Sequence, residues 1–184
     1  MNILILSCSL NPTSRSNVLA RQAYENLQNM GVDVQLHDLR DYDLEFCGRP
    51  TARDVPAVGK LQAAIQNATA ILMAVPVYNF YINAAAKNLI ELTGRNWTNK
   101  LVGFMITAGG RASYMSVMSI ANSLMLDFRC IVIPRFVYAT GDAFENDRTE
   151  TMTIGDEEVK ERLTELTETT VKLARAFEPV LDTL

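Results

Sequence analysis

Thr69-Ala70-Ile71-Leu72-Met73-Ala74-Val75 is an almost wholly apolar run, β-branched at Ile71 and Val75, and Pro76-Val77-Tyr78-Asn79 follows it directly. A strand with one wet face alternates apolar and polar residues, whereas a continuous apolar strand is covered on both faces. Residues 2–7 and 101–107 have the same continuous character. Each of these strands also ends in a short polar loop. The first gives way to Ser9-Leu10-Asn11-Pro12-Thr13-Ser14-Arg15-Ser16-Asn17, and the last closes on Thr107-Ala108-Gly109-Gly110. In an open parallel sheet the carboxyl ends of the strands share one edge, and ligands bind there where the strand order reverses. The three loops therefore describe one pocket.

Working outward, strands and helices alternate. A helix over 16–30 starts at Ser16 and stops at Gly31. Val32, Val34 and Leu36 alternate in a strand over 32–37, and an irregular connection occupies 38–55. Helices are predicted over 56–68, 81–93, 113–128 and 157–177, with Pro56 in the first turn of the earliest. The fifth strand spans 130–139. The pattern predicts a single domain over residues 1–184 of class α/β, a three-layer, doubly wound, five-stranded parallel sheet in the order 2-1-3-4-5. Val159, Leu163, Leu166, Thr170, Leu173 and Phe177 form a narrow stripe that packs the last helix on the sheet. Residues 141–155 read as a solvated acidic loop.

At 184 residues, 48% hydrophobic and 21% charged, the composition is that of a soluble globular domain. A net charge of −4 argues against nucleic acid as a partner. No run of about 18 apolar residues is present, so no membrane span is expected. Residues 2–6 lack the charged start and cleavage site of a signal peptide, and the expected location is the cytoplasm. Cys8, Cys47 and Cys130 show no CxxC spacing, so neither a zinc site nor a disulfide framework is indicated, and no metal is expected. Cys8 adjoins the first loop, but a redox role there would require a lowered pKa.

Between Ser7 and Asn17 the chain holds four serines, a threonine, two asparagines and an arginine, immediately before a helix. The N-terminus of a helix presents unpaired N–H groups and attracts phosphate. Capping alone would need one such residue, whereas this loop has a cluster. Arg15 can fork onto two phosphate oxygens. The loop contains no glycine, so both the G-x-G-x-x-G turn and the triphosphatase P-loop are absent. A monophosphate on a bulky planar group becomes the better candidate. Gly109 and Gly110 allow the backbone to approach a flat ring closely.

With the loops placed, the chain resembles the NAD(P)H-dependent FMN reductase family of the flavodoxin-like superfamily. The resemblance rests on residues 9–16, on Pro76-Val77-Tyr78-Asn79 with Ala86-Lys87-Asn88-Leu89-Ile90-Glu91, and on Gly109-Gly110. It implies a flavodoxin-like fold with FMN as cofactor. Ser9, Ser14, Arg15, Ser16 and Asn17 would hold the phosphate. Pro76, Val77, Tyr78 and Asn79 would meet the isoalloxazine edge, and Thr107, Ala108, Gly109 and Gly110 the pyrimidine end. Lys87 and Asn88 are expected to make structural helix contacts. Cys8 stands where the family often has Gly, Asn11 where it often has Arg, and Ala86 where leucine is usual.

The resemblance further implies NADPH or NADH as co-substrate and a flavin, quinone, azo or metal-oxyanion acceptor. With the flavin carrying the chemistry, no catalytic triad is needed. A flavodoxin-like electron carrier without nicotinamide turnover, and a flavin-binding scaffold or sensor, are the alternatives. Carriers of that kind tend to be strongly acidic, which this chain is not. His37 is expected to be a bystander. Tyr78, Phe80, Tyr81 and Trp97 at the ends of a slim, alanine-rich helix predict a homodimer or homotetramer.

Overall fold

Alternation inside each continuous apolar strand divides its side chains between two cores, and this division builds the three layers. The computed structural model describes residues 1–181. From β1 (Asn2–Ser7), Ile3 and Ile5 point to one face, and from β3 (Ala70–Tyr78) so do Ala70, Leu72 and Ala74. They pack against Leu19, Ala23 and Leu27 of α1 (Arg15–Asn29) and against Leu163 and Leu166 of α5 (Glu157–Leu181). Leu4, Leu6, Ile71, Met73 and Val75 take the opposite face, together with Phe104 and Ile106 of β5 (Leu101–Thr107). That side is covered by α2 (Pro56–Asn67), α3 (Ala84–Thr93) and α4 (Met118–Phe128). Burying a leucine or isoleucine fully is worth roughly 1.5–3 kcal/mol, so these strands dominate the stability of the fold.

The sheet runs β2 (Asp33–Asp38), β1, β3, β5, then β6 (Ile131–Val132), with parallel pairing along that path. β7 (Val137–Ala139) also pairs parallel with β5, further along it. Counting β6 and β7 as one interrupted strand gives the order 2-1-3-4-5 of flavodoxin-like proteins. Pro134 lies in the interruption and cannot donate to a ladder, so the single strand expected over 130–139 is in fact two short ones. Gly103 sits opposite α5, where a Cβ would lie 2.7 Å from Leu72 Cδ2 and 3.3 Å from Leu166 Cδ1.

Several boundaries differ from the sequence reading. Ser14, not Ser16, caps α1: its hydroxyl accepts the Asn17 N–H at 3.2 Å. β3 runs through Pro76 to Tyr78, because the Pro76 carbonyl and its neighbours still pair with β5 and with the segment that folds back. That segment is β4 (Tyr81–Ile82), so α3 begins three residues later than expected. The first part of the helix expected over 113–128 is a 3-10 turn, Arg111–Val117. Residues 141–155 are no plain loop. They contain a hairpin of β8 (Phe144–Glu145) and β9 (Thr153–Ile154), whose Phe144 and Ile154 are buried against the α1/α5 core with Met152. Trp97, expected on an oligomer surface, is fully buried, and its indole N–H donates to Thr93 Oγ1 at 2.7 Å.

Candidate functional site

The carboxyl ends of β1, β3 and β5 enclose a cleft of about 210 Å3. Ser9, Ser14, Arg15 and Ser16 line it from the first loop, Pro76, Val77 and Tyr78 from the second, and Thr107, Ala108 and Gly109 from the third. Ser9 and Ser14 are buried. Ser9 Oγ accepts from the Asn11 N–H at 3.3 Å and Ser14 Oγ from the Asn17 N–H at 3.2 Å, which leaves each hydroxyl proton to donate. The N–H groups of Arg15 and Ser16 belong to the first helical turn and have no carbonyl to bond within the helix. The positive end of the α1 dipole adds to this donor set. Such a site suits a phosphate dianion.

Asp147 fixes the Arg15 side chain. Its Nε and Nη2 donate to the two carboxylate oxygens of Asp147 at 2.7 and 2.5 Å. This pairing holds the Asp147 carboxyl below the usual range and raises the arginine further. Gly141 makes room for the guanidinium, since a Cβ there would lie 2.4 Å from Arg15 Nη2. The Nη1 edge remains for an anion. Arg148, next to the clamping aspartate, also lines the cleft. Asp147, Gly141 and Arg148 have no sequence signal of their own, because they join the first loop only through the β8–β9 hairpin.

Hydrogen bonds among the expected residues and their neighbours hold the loops together. Ser16 and Thr107, both buried, hydrogen-bond through their hydroxyls at 2.8 Å and tie α1 to the end of β5. The Asn17 side chain turns away from the cleft lining: its amide donates to Ser7 Oγ at 3.1 Å and Asp38 Oδ2 at 2.6 Å. Asn83, which the sequence reading did not single out, donates its amide to the Cys8 carbonyl at 2.6 Å and joins the first and second loops. Cys8 itself is fully buried, and burial, helped by Asp38, pushes its thiol far up, the opposite of what redox chemistry requires. Asn88 accepts the Cys47 N–H at 2.8 Å and donates to the Glu45 carbonyl at 2.9 Å, while Lys87 pairs with Glu91 on the surface. His37 bonds Tyr42, and burial lowers its pKa; it lines none of these cavities.

The cleft opens into a trough of about 540 Å3 between Val77, Tyr78, Asn79 and Phe80 on one side and Gly109, Gly110 and Ser113 on the other. Tyr78 and Tyr81 pair across a two-residue turn in which Asn79 (φ 51) and Phe80 (φ 61) are both left-handed. This is a type I′ hairpin, where asparagine is at ease and a bulky residue is not. The strain holds an aromatic ring, 68% exposed, at the rim of the trough. Opposite, no atom lies within 4 Å of where a Cβ on Gly109 or Gly110 would sit, so a flat group can meet the backbone there. The Tyr138 hydroxyl donates to the Gly110 carbonyl at 2.5 Å and braces this turn.

An anion cleft joined to a flat trough at a switch in strand order defines the flavodoxin-like class of nucleotide-binding fold. The NADPH-dependent FMN reductase family matches residues 1–145, and the chain belongs to it. An NAD(P)H-dependent FAD/FMN reductase of Geobacillus thermodenitrificans is 32% identical over 137 residues, 73% of this chain and 72% of that protein. An NADPH azoreductase of Bacillus is 21% identical over 142 residues, 77% of this chain and 78% of that one. Among solved structures, the flavoenzyme NAD(P)H:acceptor oxidoreductase FerB of Paracoccus denitrificans superposes with a TM-score of 0.76 at 18% identity, covering 95% of this chain and 97% of that one. The chain is thus an NAD(P)H-dependent oxidoreductase with FMN as cofactor. The cleft and the flat-walled trough have donors and a shape that fit FMN.

Proposed function

We propose that the cleft holds the FMN phosphate and the trough its ring, and that one stacking site serves the nicotinamide and then a small planar acceptor in turn. The carrying observation is the set of unspent donors, the Ser9 and Ser14 hydroxyls and the first-turn N–H groups, opening onto a flat-walled trough. Bound FMN supplies hydride acceptance from the nicotinamide and electron transfer to the acceptor. The chain's own part is electrostatic and steric. Arg15, clamped by Asp147, presents a fixed cation to the phosphate, and pre-oriented groups of this kind lose no energy to reorganisation on binding. The N–H groups around Gly109 and Gly110 offset negative charge on the pyrimidine side of the ring. Tyr78 and Phe80 wall the face on which substrates stack, and this open, apolar face suits flavins, quinones and azo compounds.

The same reading extends to assembly and location. Met115, Met118, Met125 and Leu126, 38–74% exposed, lie on α4 and the turn before it, and that turn packs on β4, which carries exposed Tyr81. A second copy covering these side chains would bury them, and two-fold dimers are the commonest arrangement. Among the described residues no helix is long and apolar enough to cross a membrane, which fits work in the cytoplasm on small molecules.

The absorbance spectrum of the purified protein with added FMN, followed by NADPH and NADH consumption with flavin, quinone and azo acceptors, tests the proposal. FMN binding, tighter than FAD because a single phosphate loop is present, and steady nicotinamide oxidation are expected. A protein that binds FMN but oxidises neither nicotinamide would be a carrier instead.

A further inference from the structure

The ring trough does not end at Gly110. It continues into a second trough of about 530 Å3 that shares Gly109 and Gly110 with it and is lined by Arg15, Arg111, Arg148 and Asp142. Beyond that lies a groove of about 420 Å3, which shares Arg111, Thr140 and Asp142 with the second trough. Three aromatic rings wall this groove: Tyr114 lies 4.8 Å from Phe136 and 5.3 Å from Tyr138, centroid to centroid. Tyr138 is also the residue that braces Gly110, so the groove and the ring trough share a wall.

The three cavities differ in chemistry, and their order along the surface has a counterpart. A nicotinamide dinucleotide is a planar ring, a bridge of two phosphates with two negative charges, and a second planar ring. Arg15 has its Nε and Nη2 committed to Asp147. Arg111 is 88% exposed and held only loosely, 3.6 Å from Asp142. Arg148 is in no ion pair among the described residues. Two guanidinium groups are therefore available for two phosphates, midway between two aromatic surfaces. Arginine suits phosphate because its planar fork donates two parallel hydrogen bonds. The carboxylates of Asp142 in the trough and of Asp156 and exposed Glu158 in the groove, where Arg162 also lies, leave the trough with more arginines than carboxylates. Asp142 is the loose partner already counted, and Asp156 accepts the Val159 N–H at 3.2 Å as the cap of α5.

We propose that this path is the binding site of the co-substrate's remote half: Arg111 and Arg148 take the pyrophosphate of NAD(P)H, and the Tyr114–Phe136–Tyr138 groove takes its adenosine. This rests on the hydride-transfer reading above. It also gives the chain a means of holding a dinucleotide without any glycine-rich turn. Arg148 and the aromatic residues Phe136 and Tyr138 lie on β7, its approach and the β8–β9 hairpin, far in sequence from the flavin loops.

The test compares NADH with its reduced mononucleotide half, which lacks the second phosphate and the adenosine, at saturating FMN. Wild type should prefer NADH in kcat/KM by at least about tenfold, and Arg111→Ala with Arg148→Ala should compress that preference to about twofold. ADP-ribose carries the bridge and adenosine but no hydride. Titrated calorimetrically, it should bind wild type, and the double variant at least about tenfold more weakly, with Arg111→Lys recovering part of the loss. Equal use of NADH and the mononucleotide by wild type, or ADP-ribose affinity unchanged in the double variant, would overturn the site. If wild type oxidises neither nicotinamide, the hydride-transfer reading falls, and the ADP-ribose titration still decides whether the path binds a dinucleotide half.

Discussion

Replacing Arg15 by alanine separates its role in anion binding from its role in the fold. In the folded chain its side chain is 14% exposed and that of Asp147 is 29% exposed, and the two are joined by a two-pronged ion pair. An ion pair this close to solvent contributes about 0–1 kcal/mol to stability. In a chain of this size that corresponds to a melting temperature lower by at most about 2–4 °C. A hydrogen bond from the guanidinium to a phosphate dianion is worth more, about 1.5–3 kcal/mol. At about 1.4 kcal/mol per decade, the FMN Kd should rise roughly tenfold to a hundredfold. Arg15→Lys keeps the charge but loses the fork and should fall between. Quenching of flavin fluorescence gives the Kd, and a thermal melt of the same samples gives the stability. A folded Arg15→Ala protein that binds FMN within about twofold of wild type would refute the assignment, because such a change is only about 0.4 kcal/mol.

Four further outcomes are expected. Gly141→Ala puts a methyl 2.4 Å from Arg15 Nη2 and displaces the flexible guanidinium, so FMN should bind several-fold more weakly with little change in melting temperature; unchanged affinity would mean that the arginine's seat is immaterial. Phe80→Gly relieves a left-handed aromatic residue and should stabilise the fold by about 1 kcal/mol while turnover falls with the loss of the trough wall, and a lower melting temperature would contradict the strain. Thiol titration at pH 8 should label half-buried Cys47, while Cys8 and Cys130, the latter pushed up to about 11 by burial, stay protonated and unreactive until unfolding; rapid labelling of three thiols would show otherwise. Light scattering should give about twice the chain mass of 20.5 kDa, and Tyr81→Asp should return it to one copy; a single-copy mass for wild type would exclude the dimer.

The local chemistry of this chain was decisive wherever an element buries two faces. The runs at 2–7, 69–75 and 101–107 could only be central strands, because no partly wetted strand tolerates side chains so uniformly apolar. From them follow the parallel sheet, its order, and the edge at which the loops meet. The serines beside the first helix stand out for a related reason: there are more of them than one cap uses, and the structure places Ser9 and Ser14 in the lining of the cleft.

What the sequence could not supply depends on contacts between distant segments. The register of the turn at Asn79-Phe80 is one case, since nothing in a Tyr-Asn-Phe-Tyr run announces two left-handed residues until the strand partner Ile82 is in place. Trp97 is another: an aromatic residue after a slim helix reads equally well as interface or core, and only the packing of α2, α3 and α4 decided for the core. The sharpest case is residues 141–155. Their polarity suggested solvent, yet Phe144, Met152 and Ile154 pin the hairpin to α1 and α5, which carries Asp147 and Arg148 to a loop more than a hundred residues earlier. Periodicity and composition report the average environment of a segment. Which single carboxylate meets which single arginine is settled by tertiary packing, because the energy of that meeting exists only at hydrogen-bond distance.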